Sequence, residues 1–128
     1  MQDITLSHIS GMLQQLTLPS AHTLTPYVIQ TLLNGESNYS VYNFMLYLQA
    51  CGKQLEIKDI MDESYIIKDV REAHNLILEL VEKYRVKISK MNEATGVTYT
   101  PATKDRTTLS IRTFIAILNY FKCEINII

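Results

Sequence analysis

Glycine is scarce in this chain, and its four copies (Gly11, Gly35, Gly52, Gly96) are scattered, which excludes a glycine-rich phosphate-binding loop. Cysteine is scarcer still. Cys51 and Cys123 stand near the starts of two expected strands and read as buried free thiols in a reducing compartment, not as a disulfide or a metal pair. The three histidines, His8, His22 and His74, fit neither a zinc spacing nor a Ser-His-Asp order. His74 lies one residue from an apolar stripe and reads as a helix-surface residue. No apolar run approaches the roughly 20 residues needed to cross a bilayer. The first twenty residues lack a basic region followed by a continuous apolar one, so no secretory signal is visible. Together these absences predict a cytoplasmic protein that is not an enzyme, with no metal, no cofactor and no membrane partner.

Basic residues are missing from one part of the chain and concentrated in another. Residues 1–50 contain no Lys or Arg, and their two acids are Asp3 and Glu36. Residues 51–82 carry four bases against eight acids, whereas residues 83–128 carry eight bases against three acids. The formal net charge of −1 conceals this gradient. A near-neutral total speaks against nucleic acid as a partner, while the basic last third keeps it open. With 47% apolar and 20% charged residues the composition is that of a folded globule. Two lobes of about 60 residues would each be marginal alone, so sharing a core or a partner is expected.

The chain also repeats itself. Ser40 to Ile57 (SVYNFMLYLQACGKQLEI) and Ser110 to Ile127 (SIRTFIAILNYFKCEINI) align without a gap. Serine meets serine, Phe44 meets Phe114, Leu48 meets Leu118, and Leu55 and Ile57 meet Ile125 and Ile127. Each copy predicts a helix running into a short strand. Elsewhere, residues 4–16 place Ile4, His8, Ile9, Met12, Leu13 and Leu16 at helical spacing. Thr25-Pro26 is a cap-plus-proline start for a helix ending at Asn34-Gly35. Residues 59–66 are acidic and read as a linker. Val70, Ala73, Leu76, Ile77, Leu80, Val81 and Tyr84 trace one helical face. Ile88 to Thr95 is a short helix stopped by Gly96, and Thr100-Pro101 is a second cap-plus-proline start.

From about Glu72 onward, the residues LILELVEKYRVKISKMNEATGVTYTPATK and TTLSIRTFIAILNYFKCEINII resemble the Cro/CI-like (XRE) helix-turn-helix regulators. The tail is most similar to HipB-type antitoxins, whose terminal strands pair to build a dimer. In the first half, LLNGESNYSVYNF is similar to the end of the family's recognition helix and the segment after it. Asn92 departs from the pattern, because the family usually has a small alanine there. The resemblance implies a mostly α fold of two tandem helix-turn-helix-like helical halves, each ending in a short β-strand. The halves would be residues 1–58 and 67–128, joined by the linker 59–66.

It further implies double-stranded DNA binding, as a transcriptional regulator or an antitoxin-type repressor. Phosphates are held by Lys and Arg, and base edges are read from the start of a recognition helix. In the second half the implied DNA-binding residues are Lys87, Lys90, Thr98, Tyr99, Thr100, Thr103, Lys104, Arg106 and Arg112. In the first half they are Thr25, Tyr27, Gln30, Thr31 and Asn34. Each has a plainer reading: Thr25 and Thr100 as helix caps, Tyr27 and Tyr99 as core residues, Gln30 and Asn34 as exposed positions. The strands Gln54, Leu55, Glu56, Ile57 and Glu124, Ile125, Asn126, Ile127 need pairing partners. They would find them in each other, as a pseudo-dimer within the chain, or in a second copy, as a homodimer. The alternative function is a degenerate helix-turn-helix scaffold that binds a toxin or other protein partner and no DNA.

Overall fold

In the computed structural model, which describes residues 3–101 and 109–128, the core is built around two helix-to-strand units with the same exit geometry. The helices are α1 (Leu6–Gln14), α2 (Pro26–Leu33), α3 (Val41–Ala50), α4 (Val70–Lys83), α5 (Ile88–Thr95) and α6 (Ile111–Tyr120). The strands are β1 (Leu55–Lys58), β2 (Ser64–Ile67) and β3 (Glu124–Ile127), in the sheet order β2-β1-β3. The fold is therefore mixed, with six helices and a three-stranded antiparallel sheet among the described residues; β1 and β3 fall on the expected strands, and β2 is a strand the mostly α expectation lacked.

Local chemistry sets the helix boundaries. The side chains of Thr5, Thr25, Ser40, Asp69 and Ser110 each accept a backbone N–H from the first turn of the helix that follows. At α4 the Glu72 carboxylate also reaches back to the Lys68 N–H at 2.8 Å, so two otherwise orphaned donors are satisfied together. At the other end of α5, Gly96 takes the left-handed conformation at φ 75°.

α3 and α6 end in the same way. After α3, Lys53 and Gly52 donate back to the carbonyls of Leu48 and Gln49, at 2.8 and 3.0 Å. After α6, Cys123 and Lys122 donate to Leu118 and Asn119, at 2.9 and 3.0 Å. The residue that must turn left-handed is Gly52 in the first unit (φ 70°) and Lys122 in the second (φ 56°). The two helices bury matching positions too: Val41, Phe44, Met45, Tyr47 and Leu48 in α3, and Ile111, Phe114, Ile115, Ile117 and Leu118 in α6.

The two units pair reciprocally. Ser40 forms a bridge with Ser110, in which the Val41 N–H donates to the Leu109 carbonyl and the Ile111 N–H to the Tyr39 carbonyl. In the sheet, Glu56 faces Asn126, while Leu55 faces Ile127 and Ile57 faces Ile125. Gln54 lies outside β1 but exchanges both backbone bonds with Ile128, each at 2.9 Å. A single hydrophobic cluster runs from Ile9 and Leu13 through Phe44, Leu55, Ile77 and Phe114 to Ile125, so the halves share one core.

Several expectations need correction. Residues 59–66 are not a linker: they form the turn of a β-hairpin and the start of β2, which pairs along β1 from Lys58↔Ser64 to Leu55↔Ile67. In α1 the buried positions are Ile9, Ser10 and Leu13, and His8 is exposed. Ser10 is tolerated inside because its hydroxyl donates to the Leu33 carbonyl at 2.8 Å. His74 is 4% exposed and not on the helix surface. The stripe of α4 is wider than the alternation suggests, because both Ala73 and His74 turn inward.

An ion-pair cluster fastens the hairpin to the end of α4. The Lys83 ammonium lies 2.5 Å from both the Asp59 and the Glu63 carboxylates and over the rings of Tyr65 and Tyr84. Asp59 is buried, and its second oxygen accepts the N–H groups of Met61 and Glu63. Burial pushes its pKa up, but the hydrogen bond from Lys83 and the backbone donors outweigh this and hold the carboxyl at about 2. Because that value lies below the unfolded one, the stabilisation is present above about pH 4 and is lost as pH falls toward 2. Acid titration of the fold should therefore show a loss of stability in that window, and Asp59→Asn should remove it. The variant should also cost about 2 kcal/mol at neutral pH by urea denaturation, since Lys83 loses a partner. Lys122→Gly should have the opposite effect, adding about 1 kcal/mol by relieving a side chain held at positive φ. An unchanged urea midpoint for Lys122→Gly would refute that reading.

Candidate nucleic-acid interface

α2 carries the first-half residues expected to read DNA, and its chemistry is almost uncharged. Pro26 opens the helix, and the Thr25 hydroxyl oxygen accepts the Val28 N–H at 3.2 Å, so this threonine is occupied as a cap. One turn on, the Thr31 hydroxyl donates to the Tyr27 carbonyl at 2.9 Å. Asn34 spends its side chain on the turn after the helix: Oδ1 accepts from Glu36 and Ser37 N–H, and Nδ2 donates to the Ser37 hydroxyl. Asn34 is thus engaged as a turn residue. Tyr27, 76% exposed, and Gln30, also exposed, stand on adjacent positions of the helix surface and remain open to a partner.

The second-half residues divide differently. Lys87 and Lys90 lie exposed at the start of α5, with Lys90 3.7 Å from Glu93 across one turn. That contact is largely solvated and adds little. Thr98 and Thr100 are exposed, whereas Tyr99 is buried at 5% exposure. Two constraints hold Tyr99 inside. Its hydroxyl lies 2.8 Å from Nδ1 of His74, with the two rings 5.7 Å apart. Its backbone is gripped on both sides by one side chain: Asn92 Nδ2 donates to the Tyr99 carbonyl, and the Tyr99 N–H donates to Asn92 Oδ1, each at 3.1 Å. Tyr99 consequently cannot reach a base edge, contrary to the expectation. Thr103, Lys104 and Arg106 lie outside the described residues.

Arg112 crosses to the first half. Its guanidinium donates to the Glu36 carbonyl at 2.8 Å, and its backbone N–H donates to Asn38 Oδ1 at 3.2 Å. The contact follows from the Ser40–Ser110 bridge, which sets the start of α6 against the loop leaving α2. Arg112 therefore sits on that loop as an exposed clasp. The strand residues Leu55, Glu56 and Ile57 pair with Ile127, Asn126 and Ile125, and Glu124 pairs with Lys58.

Asn92 and His74 were missed as structural groups. The departure of Asn92 from the family pattern was the available signal, because an amide in place of alanine can bond a backbone where alanine cannot. Among the described residues no three His, Cys, Asp or Glu side chains gather as a metal site, and no helix is long and apolar enough to cross a membrane. Burial raises the Cys123 thiol to about 12, so it is a core sulfur and not a nucleophile. Comparison of the chain with protein-family models, curated proteins and solved structures returns no match.

The Asn92 grip makes a direct prediction. Asn92→Ala should cost about 1–3 kcal/mol by deleting the two hydrogen bonds that Asn92 makes to the backbone of Tyr99. It should also expose Tyr99, read as a rise in the hydrogen-exchange rate of its amide. Exchange as slow as in the parent protein would mean that Asn92 does not hold this segment.

Proposed function

We propose that the chain is a double-stranded DNA-binding protein of the helix-turn-helix kind. Its two halves are related by a local twofold axis and are similar to Cro/CI-like regulators with a HipB-type tail. The observation that carries this reading is the reciprocal pairing of Ser40 with Ser110 and of Glu56 with Asn126. An isologous contact of that kind makes one chain resemble a symmetric dimer. On this reading the segments that follow Thr25-Pro26 and Thr100-Pro101 would serve as the two recognition elements of such a pseudo-dimer. Two such elements suit successive major grooves about 34 Å apart on one duplex.

In this proposal the second half supplies most of the affinity. Lys87, Lys90, Lys104 and Arg106 hold phosphates, and Thr98 and Thr100 contact the duplex where the recognition element begins. In the first half Tyr27 and Gln30 provide a neutral reading surface. A transcriptional regulator and the antitoxin of a toxin–antitoxin pair are the two settings in which this architecture would act, in a cytoplasmic compartment.

A second reading draws on a specific observation: α2 presents Tyr27 at 76% exposure, and residues 1–50 contain no base to hold a phosphate. On this reading the first half binds a protein, and DNA is not a ligand. Fluorescence anisotropy with a labelled mixed-sequence duplex at low and moderate salt separates the two. Salt-sensitive binding is expected, and changing Lys104 and Arg106 together to Ala should reduce the log–log salt slope by about 2. Absence of binding at low salt would overturn the DNA reading in favour of the protein partner.

A further inference from the structure

Along the outer edge of β2 lies a surface that the DNA reading leaves unused. The sheet order β2-β1-β3 puts β2 at an edge that no other strand of the described residues pairs with, and the ladder phase shows which groups face outward. The Asp59 N–H donates to the Glu63 carbonyl, and Ile57↔Tyr65 and Leu55↔Ile67 follow in the same phase. Bonded and non-bonded pairs alternate in an antiparallel ladder. Ser64 and Ile66 therefore turn their N–H and C=O groups away from β1.

The edge carries apolar exposure and a groove. Ile66 is 39% exposed on the solvent face, and the hairpin tip adds Ile60 at 54% and Met61 at 69%. On the opposite face, a groove of about 180 Å³ lies between β2 and α4. Ile67 and Leu76 form part of its floor, and Glu72, Asn75 and Glu79 stand along one stripe of α4 as its wall. No base lines it. A strand added to β2 would lay alternate side chains into this groove, beside two carboxylates, and the others next to Ile66.

We propose that this edge docks an extended segment of a partner protein in which basic and apolar side chains alternate. A lysine or arginine entering the groove would cover Leu76 and Ile67 with its aliphatic stem and set its charge between Glu72 and Glu79. Its apolar neighbours would cover Ile66. The same carboxylates oppose a second copy of this chain, because antiparallel self-pairing would bring like charges together. The docking surface does not depend on the DNA reading.

The test uses the full chain and a fluorescein-labelled peptide of about six residues alternating lysine and valine, the length of a common strand. A peptide alternating glutamate and valine is the control. Saturable binding of the lysine peptide alone is expected, with slowed hydrogen exchange at the Ser64 and Ile66 amides. Ile66→Pro should abolish binding, because it deletes an outward donor without touching the β1 ladder. Glu79→Lys should weaken it about tenfold, and this variant with the amide protection decides the matter should Ile66→Pro not fold. The proposal is overturned if neither peptide binds, if both bind equally, or if protection appears away from β2. A concentration-dependent dimer that Ile66→Pro dissolves would overturn it as well, by giving the edge to a second copy.

Discussion

Backbone groups in a short strand must be bonded somewhere, and four residues cannot satisfy themselves. In this chain β1 is filled on both sides: its odd residues bond to β2 and its even residues to β3. The remaining arrangement is organised around that requirement. Bringing β3 to β1 carries α6 to α3, and the serine bridge closes the other end of the same contact. Burial of Phe44, Leu48, Phe114 and Leu118 then makes the seam apolar throughout. Loss of the central pairing would undo the contact that holds α3 against α6.

The parts of the fold that are local in sequence were legible from the sequence. Thr25, Ser40 and Ser110 act as caps within three residues of themselves, and Gly96 needs no partner to turn left-handed. The likeness of Ser40–Ile57 to Ser110–Ile127 is visible in the sequence, and α3 and α6 bury corresponding side chains. What was not legible depends on partners far along the chain. His74 reads as a surface residue until Tyr99 arrives from 25 positions away, and Asp59 as a solvated acid until Lys83 arrives from 24. β2 was hidden for a different reason. Only Ile67 of its four residues is buried, so its alternation is too weak to separate it from the acidic turn before it.

The candidate interface was less legible than the fold. Thr25, Thr31, Asn34 and Tyr99 are types that can read bases, but each has a second use in caps, turns or the core. In the structure Thr25 caps α2, Thr31 bonds back to the Tyr27 carbonyl within the helix, Asn34 holds a turn and Tyr99 sits in the core. Polar side chains at helix starts are ambiguous in this way because the same oxygen serves a backbone N–H or a ligand. Charge proved a different guide: the bases at Lys87 and Lys90 are exposed, as their solvation requires.

The position of β1 between strands from different parts of the chain also bears on time. β2 follows β1 after a tight turn, so that hairpin can close within microseconds. β3 is separated from β1 by all of α4, α5 and α6, and its pairing must wait for a long-range loop closure that the hairpin does not need. During synthesis on a ribosome, the first helices and the hairpin would therefore emerge with one side of β1 still unbonded. Until β3 is made, that bare edge is open to pairing with other chains, and its protection falls to whatever meets it first.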